Sequence, residues 1–186
     1  MKKYISIIVL LSLFVIGCSE QTSINAPSTN VNTNEPNWIA LPQAEGLSIN
    51  QSFTSSKTIY GSSGGSIYLN KNYTSSTGTV TIYAKAYFPQ YSFWGSKYIT
   101  MTVDDQTCTA TFSPAMVFNK PVVYNLTYTG INLNNINLSN IKFAYLANDG
   151  SIEYAQHEGI TVDLATRKIS VKNAKIPHFS RYGFVN

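Results

Sequence analysis

Apolar and polar side chains alternate with a period of two in one short segment after another between residues 65 and 172. This period places successive side chains on opposite faces of an extended chain, so each segment is typical of a β-strand with one buried face. Turn residues separate the segments, and Asp149-Gly150 is the strongest hairpin signal because Asp-Gly readily adopts the positive φ angles of a tight turn. The predicted strands are GSIYLN, TVTIYAKAYF, KYITMTVD, CTATFS, VVYNLTYT, IKFAYLA, IEYAQ, ITVDL and KISVK.

Residues 38–186 are therefore predicted to form one all-β domain, an antiparallel β-sandwich of two sheets. About 150 residues are enough for a single hydrophobic core. Beyond the first eighteen residues no segment has helical periodicity, and NLNNINLSNIK contains too many asparagines for a helix. Asp104-Asp105 in VDDQT is a second predicted turn, where acidic side chains are favoured because they accept hydrogen bonds from the backbone.

The first eighteen residues, MKKYISIIVLLSLFVIGC, contain two lysines followed by an apolar run from Ile5 to Ile16. The run is too short to span the ~30 Å hydrocarbon core of a bilayer, so residues 1–17 are predicted to be a secretory signal peptide. Its ending, Val15-Ile16-Gly17-Cys18, resembles the lipobox of bacterial lipoproteins. The resemblance implies cleavage before Cys18, attachment of a diacylglycerol to its thiol, and stable membrane anchoring by several acyl chains.

The residue that follows the lipidated cysteine bears on location. It is Ser19 rather than the aspartate that retains enterobacterial lipoproteins in the inner membrane. The resemblance therefore implies an outer-membrane lipoprotein of a bacterial cell envelope. Its domain faces either the periplasm or the exterior.

Residues 18–37 are predicted to form a flexible, disordered tether between the lipid and the domain. The stretch SEQTSINAPSTNVNTNEPN is rich in Ser, Thr, Asn and Pro and has two isolated aliphatic residues, Ile24 and Val31. Such a composition cannot bury enough apolar surface to offset the entropy lost on ordering. Folded structure is expected to begin near Trp38.

The charge balance argues against a nucleic-acid partner. Removal of Lys2 and Lys3 with the signal peptide leaves eleven of the thirteen basic residues against nine acidic ones, a mature net charge of about +2. The remaining lysines are scattered and form no basic stripe with interleaved aromatic residues, which a nucleic-acid binder would show. The partners expected from the sequence are the membrane, through the N-terminal lipid, and a protein or glycan ligand.

No cofactor or metal site is predicted, and the chain is not expected to be an enzyme. Its two histidines, His157 and His178, form no cluster with metal-ligand spacing. The sequence has no Gly-x-Ser-x-Gly nucleophile elbow and no carboxylate pair that could be placed in a cleft. Cys108 is the single cysteine left once Cys18 is acylated, so no intrachain disulfide can form, and its strand places Cys108, Ala110 and Phe112 on the same, buried side.

The segment AYFPQYSFWG is unusually rich in aromatic residues for a connection between strands. On one interpretation, alternate members fill the core and the others cap one end of the sandwich. On the other, the segment is a ligand platform, because aromatic faces bind sugar rings and extended peptides over a large area with little entropy loss. Tyr91 and Trp94 are the expected exposed contacts.

The order of landmarks along the domain is similar to that of the ZU-five domain, a β-sandwich module of tight-junction, netrin-receptor, ankyrin and bacterial secreted proteins. The likeness covers roughly residues 59–182. Its landmarks here are Gly64-Gly65 before an apolar strand, the partial match VTIYAKAYFP, and a signature made of Phe112, Pro114, Phe118, Pro121 and Val122. The chain departs from the family pattern at YAKAY and at Ala115.

This resemblance gives the His178-Phe179-Ser180 triplet a chemical interpretation. Some ZU-five domains cleave themselves between the Phe and Ser of such a triplet, which implies that Ser180 attacks the Phe179 carbonyl carbon while His178 accepts the proton. The plainer interpretation is a closing strand, KIPHFSRYGFV. Phe179 would then lie in the core and His178, Ser180 and Tyr182 on the other face, with Tyr182 packing or capping a corner.

The sequence therefore predicts a lipid-anchored, non-enzymatic β-sandwich of the bacterial envelope that acts in binding, adhesion or assembly. The alternative is a self-processing domain that cleaves between Phe179 and Ser180. The two differ in one observable, because a binding module stays one chain.

Overall fold

The described part of the chain contains eleven β-strands that pair into two antiparallel sheets. The computed structural model describes residues 36–46, 50–134, 136–147 and 151–186. In chain order the strands are β1 (Ser52–Tyr60), β2 (Gly65–Ser75), β3 (Gly78–Phe88), β4 (Ser96–Asp104), β5 (Thr109–Ser113), β6 (Val117–Thr129), β7 (Lys142–Leu146), β8 (Ile152–Tyr154), β9 (Gly159–Asp163), β10 (Lys168–His178) and β11 (Arg181–Val185). The six-stranded sheet has the order β1-β4-β5-β11-β7-β8, and the five-stranded sheet has the order β2-β3-β6-β10-β9.

The side chains that alternate inward from both sheets form one hydrophobic core. In β3, for example, the buried members are Val80, Ile82, Ala84, Ala86 and Phe88. The predicted all-β fold with two antiparallel sheets is confirmed, and all described residues fall in one compact unit. The only helical element described is a 3₁₀ turn at Leu138–Asn140, and no helix in the described ranges is long and apolar enough to cross a membrane.

Each of the nine predicted strand segments overlaps an observed strand. The other two observed strands, β1 and β11, match none of these nine segments. Strand β1 has the sequence SFTSSKTIY. Phe53 and Ile59 are its large apolar side chains that face inward, and the terminal Tyr60 is exposed, so its period is weak. Strand β1 nevertheless pairs with β4 along its whole length, from Ser52↔Asp104 to Tyr60↔Ser96. The pairing partner, rather than local hydrophobicity, makes this segment a strand.

The prediction of a single closing strand over KIPHFSRYGFV is wrong. Strand β10 continues from Lys168 to His178 in the five-stranded sheet, and β11 begins at Arg181 in the six-stranded sheet. A β-bulge at Asn173, with φ 51°, interrupts the alternation between Val171 and Ala174 and hides the continuity of β10 in the sequence. The His-Phe-Ser triplet therefore lies where the chain passes from one sheet to the other.

The two predicted turns have different outcomes. At Asp104-Asp105, Asp104 Oδ1 accepts hydrogen bonds from the backbone N–H groups of Gln106 (2.9 Å) and Thr107 (3.0 Å), so the turn is confirmed. Asp149-Gly150 lies outside the described residues, although β7 and β8 on either side of it pair through Leu146↔Ile152. The signal peptide, Cys18 and most of the tether, residues 1–35, also lie outside the described residues.

Cys108 is fully buried beside Ala110 and Phe112, as the alternation predicts, and it is a free thiol. Burial raises the pKa of the Cys108 thiol well above its ordinary value. A buried thiol that stays protonated behaves as a small apolar side chain rather than as a nucleophile.

Candidate functional site

The aromatic segment forms the connection between β3 and β4 and divides into a buried and an exposed half. Phe88 and Phe93 lie in the core, at 0% and 5% exposure. Tyr91 is 44% exposed and Trp94 is 75% exposed, and their ring centroids are 6.1 Å apart with the planes inclined at 48°. The predicted exposure of Tyr91 and Trp94 is confirmed, and the structure brings the two rings together into one patch, which we call the aromatic loop site.

Backbone hydrogen bonds hold this loop against the turn that follows β1. The Tyr91 N–H donates to Gly61 O at 2.7 Å, and the Gly61 N–H donates to Gly95 O at 2.8 Å. The Gln90 side-chain amide donates to Ser62 O at 2.7 Å. The loop is thus fixed to a neighbouring segment on both sides of the exposed rings, so a ligand would meet a loop whose backbone is already ordered.

Tyr91 itself has a left-handed backbone, with φ 64°, which is uncommon for a residue with a large side chain. The Ser92 hydroxyl donates to Pro89 O at 2.6 Å, and the Asn119 N–H donates to Ser92 O at 2.7 Å, so the residues after Tyr91 are also held. Unfavourable backbone conformations persist where the surrounding structure over-determines them, and they are frequent at ligand sites.

A lysine completes the aromatic loop site. Lys120 Nζ donates to Gln90 O at 3.0 Å and lies 5.7 Å from the centroid of the Tyr91 ring. The distance suits a cation–π contact. Lys120 was not among the residues expected from the sequence, where its one signal is its position between Phe118 and Pro121 of the ZU-five-like signature.

Phe179 of the His-Phe-Ser triplet supports the buried half of the aromatic loop. Its ring stacks on Phe112 at 4.8 Å and meets Phe118 edge to face at 4.8 Å. It also lies 5.9 Å from Phe88, which in turn contacts Phe93 at 6.2 Å. Phe179 is thus a core residue, as one of the two interpretations predicts, and its aromatic contacts extend through Phe88 to Phe93, which lies between Tyr91 and Trp94 in the loop.

The side chains on either side of Phe179 are engaged with separate partners. The Ser180 hydroxyl donates to Leu146 O at 2.9 Å. The His178 ring lies 4.2 Å from the Tyr145 ring, and its Nδ1 is 3.2 Å from the Tyr182 hydroxyl oxygen. The Phe179 N–H donates to Met116 O and Phe112 N–H donates to Ser180 O. The Ser180 proton is thus directed to a backbone carbonyl rather than to His178.

Tyr182 is buried, so the expectation that it shares a face with His178 and Ser180 is wrong. The alternation does not continue past Ser180, because the chain passes there from one sheet to the other. Its hydroxyl donates to the His178 backbone carbonyl at 2.8 Å, which caps the corner as the same interpretation expects. Burial raises the pKa of the Tyr182 hydroxyl, so the group keeps its proton and remains a donor.

We expect the chain to stay intact at Phe179-Ser180, because the attacking hydroxyl has no hydrogen bond to the proposed base. The check is the intact mass, under denaturing conditions, of residues 19–186 beside the Ser180→Ala variant. Both proteins should have their full-length masses after prolonged incubation at neutral pH. Loss of SRYGFVN from the parent but not from Ser180→Ala would contradict this expectation and assign self-cleavage to the triplet.

The acidic turn residues have structural partners. Asp105 is 2% exposed, and its carboxylate accepts hydrogen bonds from the N–H groups of Ala44 (3.3 Å) and Gln51 (3.0 Å). It therefore fastens the segment before β1 to the end of β4. In the described ranges no three His, Cys, Asp or Glu side chains lie together as metal ligands would, and His157 is exposed beside Glu158.

Comparisons with known proteins supply no family or relative. No protein-family model, no curated protein and no solved structure matches the chain. The fold and the site together define a class only: an antiparallel β-sandwich that presents a held loop of exposed aromatic side chains at one end of the strands.

Proposed function

We propose that this protein is a non-enzymatic binding module of the bacterial cell envelope, anchored by lipid at Cys18 and built on a ZU-five-like β-sandwich. Its ligand, a glycan or an extended segment of a partner protein, contacts Tyr91 and Trp94. The observation that supports this proposal most is the exposure of Trp94, at 75%, on a loop held by backbone hydrogen bonds. Large aromatic side chains at ordered, exposed positions are typical of recognition surfaces.

The composition of residues 18–37 fits this role. A flexible chain of about twenty residues has a mean reach of roughly 5–6 Å times the square root of its length, or about 25 Å. A lipid at Cys18 would therefore leave the domain free to orient its binding loop away from the bilayer. Ser19 favours the outer membrane, with the domain on its periplasmic or exterior side.

The chemistry of the loop suits a ligand with flat or ring-shaped apolar faces and polar edges. The Tyr91 and Trp94 rings offer apolar faces, and Lys120 supplies a charged hydrogen-bond donor beside the Tyr91 ring. Pyranose rings and extended peptides both have this combination of faces and edges. Adhesion to such a ligand, or assembly with a partner that carries it, requires no chemistry from the protein.

Trp94→Ala and Tyr91→Ala are expected to weaken ligand binding by about thirtyfold or more, since loss of an aromatic hot spot costs about 2 kcal/mol or more. The measurement is binding of the domain to arrays of envelope glycans and of extended peptides. Tyr154→Ala, which removes a ring that is 61% exposed on the edge strand β8, serves as the matched control and should bind as the parent does. Binding of the parent that Trp94→Ala leaves unchanged would refute the role of the loop.

A further inference from the structure

A second surface, separate from the aromatic loop site, has the features of a carbohydrate-binding cleft. It lies on the outer face of the five-stranded sheet and has a volume of about 460 Å³. The cleft is open to solvent, so a ligand would lie along the surface of the sheet rather than be enclosed. The sequence alone does not indicate this cleft, because its residues come from β3, β6 and the β9–β10 pair, which are far apart in the chain.

The floor of this cleft is a row of hydroxyl groups that crosses the sheet. Tyr83 of β3 is directly opposite Thr127 of β6, Thr127 is opposite Ser170 of β10, and Ser170 is opposite Thr161 of β9. Residues directly opposite each other in adjacent strands share a face of the sheet. At roughly 4.8 Å per strand, the four hydroxyls span about 14 Å.

These hydroxyl groups are free for a ligand. In the part of the chain that the structure describes, no hydrogen bond is made by the hydroxyls of Tyr83, Thr127, Ser170 or Thr161. Their spacing across the strands is close to the length of one pyranose unit in an extended chain, so successive sugar residues can meet successive hydroxyls. The Tyr83 ring, 40% exposed, stands at one end of the row and offers an aromatic face to a sugar.

The charged side chains at the rim of the cleft indicate the charge of a suitable ligand. Lys85 and Lys172 line it, whereas no carboxylate does among the described residues. Lys172 is partly neutralised, since its Nζ lies 3.2 Å from Glu158 Oε2, but Lys85 has no ion pair in the described ranges and its Nζ lies 5.4 Å above the Tyr68 ring. Lys85 lies two residues after Tyr83 on β3, so a ligand that extends past the Tyr83 end of the row can reach its side chain.

The β-bulge gives the cleft a fixed end. Asn125 Oδ1 accepts a hydrogen bond from the Asn173 N–H at 3.0 Å, and the two side-chain amides meet at 3.3 Å. This pair joins β6 to the bulge of β10. It lies beside Lys85, because Lys85 is directly opposite Asn125 in the sheet. Bulges commonly occur beside binding sites, where they redirect side chains.

We propose that this cleft binds an oligosaccharide that carries carboxylate groups, with Tyr83 stacking on a sugar ring, the row Thr127–Ser170–Thr161 bonding to sugar hydroxyls, and Lys85 pairing with a carboxylate. The proposal is independent of the aromatic loop site. It commits to an acidic sugar chain because a hydroxyl-lined floor suits a polyhydroxylated ligand and an unpaired lysine at the rim suits an anion.

The test is a calorimetric titration of the full chain in detergent micelles with an oligomer of galacturonic acid, beside a galactose oligomer of the same length. The acidic oligomer is expected to bind about tenfold or more tightly than the neutral one, and added salt should weaken its binding. Tyr83→Ala and Lys85→Gln should each weaken it by about tenfold, and Lys85→Gln should also reduce the dependence on salt. Trp94→Ala and Tyr154→Ala should bind it as the parent does.

Ser170→Tyr provides a second variant, because it fills the cleft without removing any group from the rim. It should abolish binding of the acidic oligomer while thermal unfolding of the protein remains cooperative. The proposal is overturned if the acidic oligomer does not bind at millimolar concentration, or if Ser170→Tyr and Tyr83→Ala bind it like the parent. Equal affinity for the neutral oligomer would overturn the assignment of an acidic ligand. Loss of binding in Trp94→Ala alone would instead place the sugar at the aromatic loop site.

Discussion

Phe179→Ala is expected to lower the free energy of unfolding by about 3–5 kcal/mol, the cost usual for truncating a buried phenylalanine. The ring is 5% exposed and contacts Phe112, Phe118 and Phe88 at centroid distances from 4.8 to 5.9 Å. Its loss removes apolar contacts from both sheets at the point where the chain crosses between them. Chemical denaturation of the parent and the variant measures the difference.

The same substitution should weaken binding at the aromatic loop site. Phe88 packs on Phe179 and on Phe93, so a cavity at residue 179 removes the support beneath the loop that carries Tyr91 and Trp94. We therefore expect a loss of ligand affinity at temperatures where the variant is still folded. Unchanged affinity in a folded Phe179→Ala protein would show that binding at the aromatic loop site does not depend on these core contacts.

Two variants of the same triplet serve as controls. Phe179→Leu keeps most of the buried apolar volume and should cost clearly less than the alanine variant. Ser180→Ala removes one hydrogen bond, to Leu146 O, and should cost about 0.5–1.5 kcal/mol. If Ser180→Ala cost as much as Phe179→Ala, the packing account of the triplet would be wrong.

Gly61→Ala is expected to destabilise the domain by about 3 kcal/mol and to abolish binding at the aromatic loop site. A Cβ at position 61 would overlap the backbone carbonyl of Phe93, which is not the end of a flexible side chain and cannot turn aside. Either the turn after β1 or the loop must move. Because Gly61 bonds to both Tyr91 N–H and Gly95 O, movement of either segment breaks the contacts that hold the exposed rings.

Gly159→Ala is the matched control for this prediction. A Cβ there meets no atom within 4 Å, and the backbone of Gly159 is not left-handed. Alanine at a compatible glycine position typically stabilises a protein by about 0.4–1 kcal/mol, because it restricts the unfolded chain. Denaturation and ligand binding are measured for both variants. A Gly61→Ala protein with the stability and affinity of the parent would show that the loop does not depend on the close approach of Gly61 to the Phe93 carbonyl.

The fold class could be predicted from the sequence because burial of one strand face is a local property. Most inward side chains of β3 and β6 are less polar than their outward neighbours, and this contrast is visible without knowledge of the partner strand. Strand β1 could not be predicted in the same way, since its polar sequence becomes a strand through pairing with β4. The extent of β10 was hidden because the bulge at Asn173 shifts the alternation by one residue.

The residues of the candidate sites also differ in whether the sequence alone could indicate them. Tyr91 and Trp94 could be selected because the density of aromatic residues in a predicted connection is itself unusual. Lys120 and Gly61 could not, because their importance comes from contacts with a loop that is distant in the chain. His178 and Ser180 are adjacent to Phe179 in sequence, but the switch of sheets directs their side chains to different partners.

The sequence by itself determined the period of most strands, the burial of Cys108 and Phe179, and the exposure of Tyr91 and Trp94, because these follow from polarity and turn chemistry over a few neighbouring residues. Only the tertiary structure decided where the chain leaves one sheet for the other and which residues stand opposite each other. The row from Tyr83 to Thr161 exists because four strands pair in one register. The local period fixes which side chains of a strand face the core, but a shift of two residues keeps the same face buried, so the choice of register depends also on pairing between segments far apart in the chain.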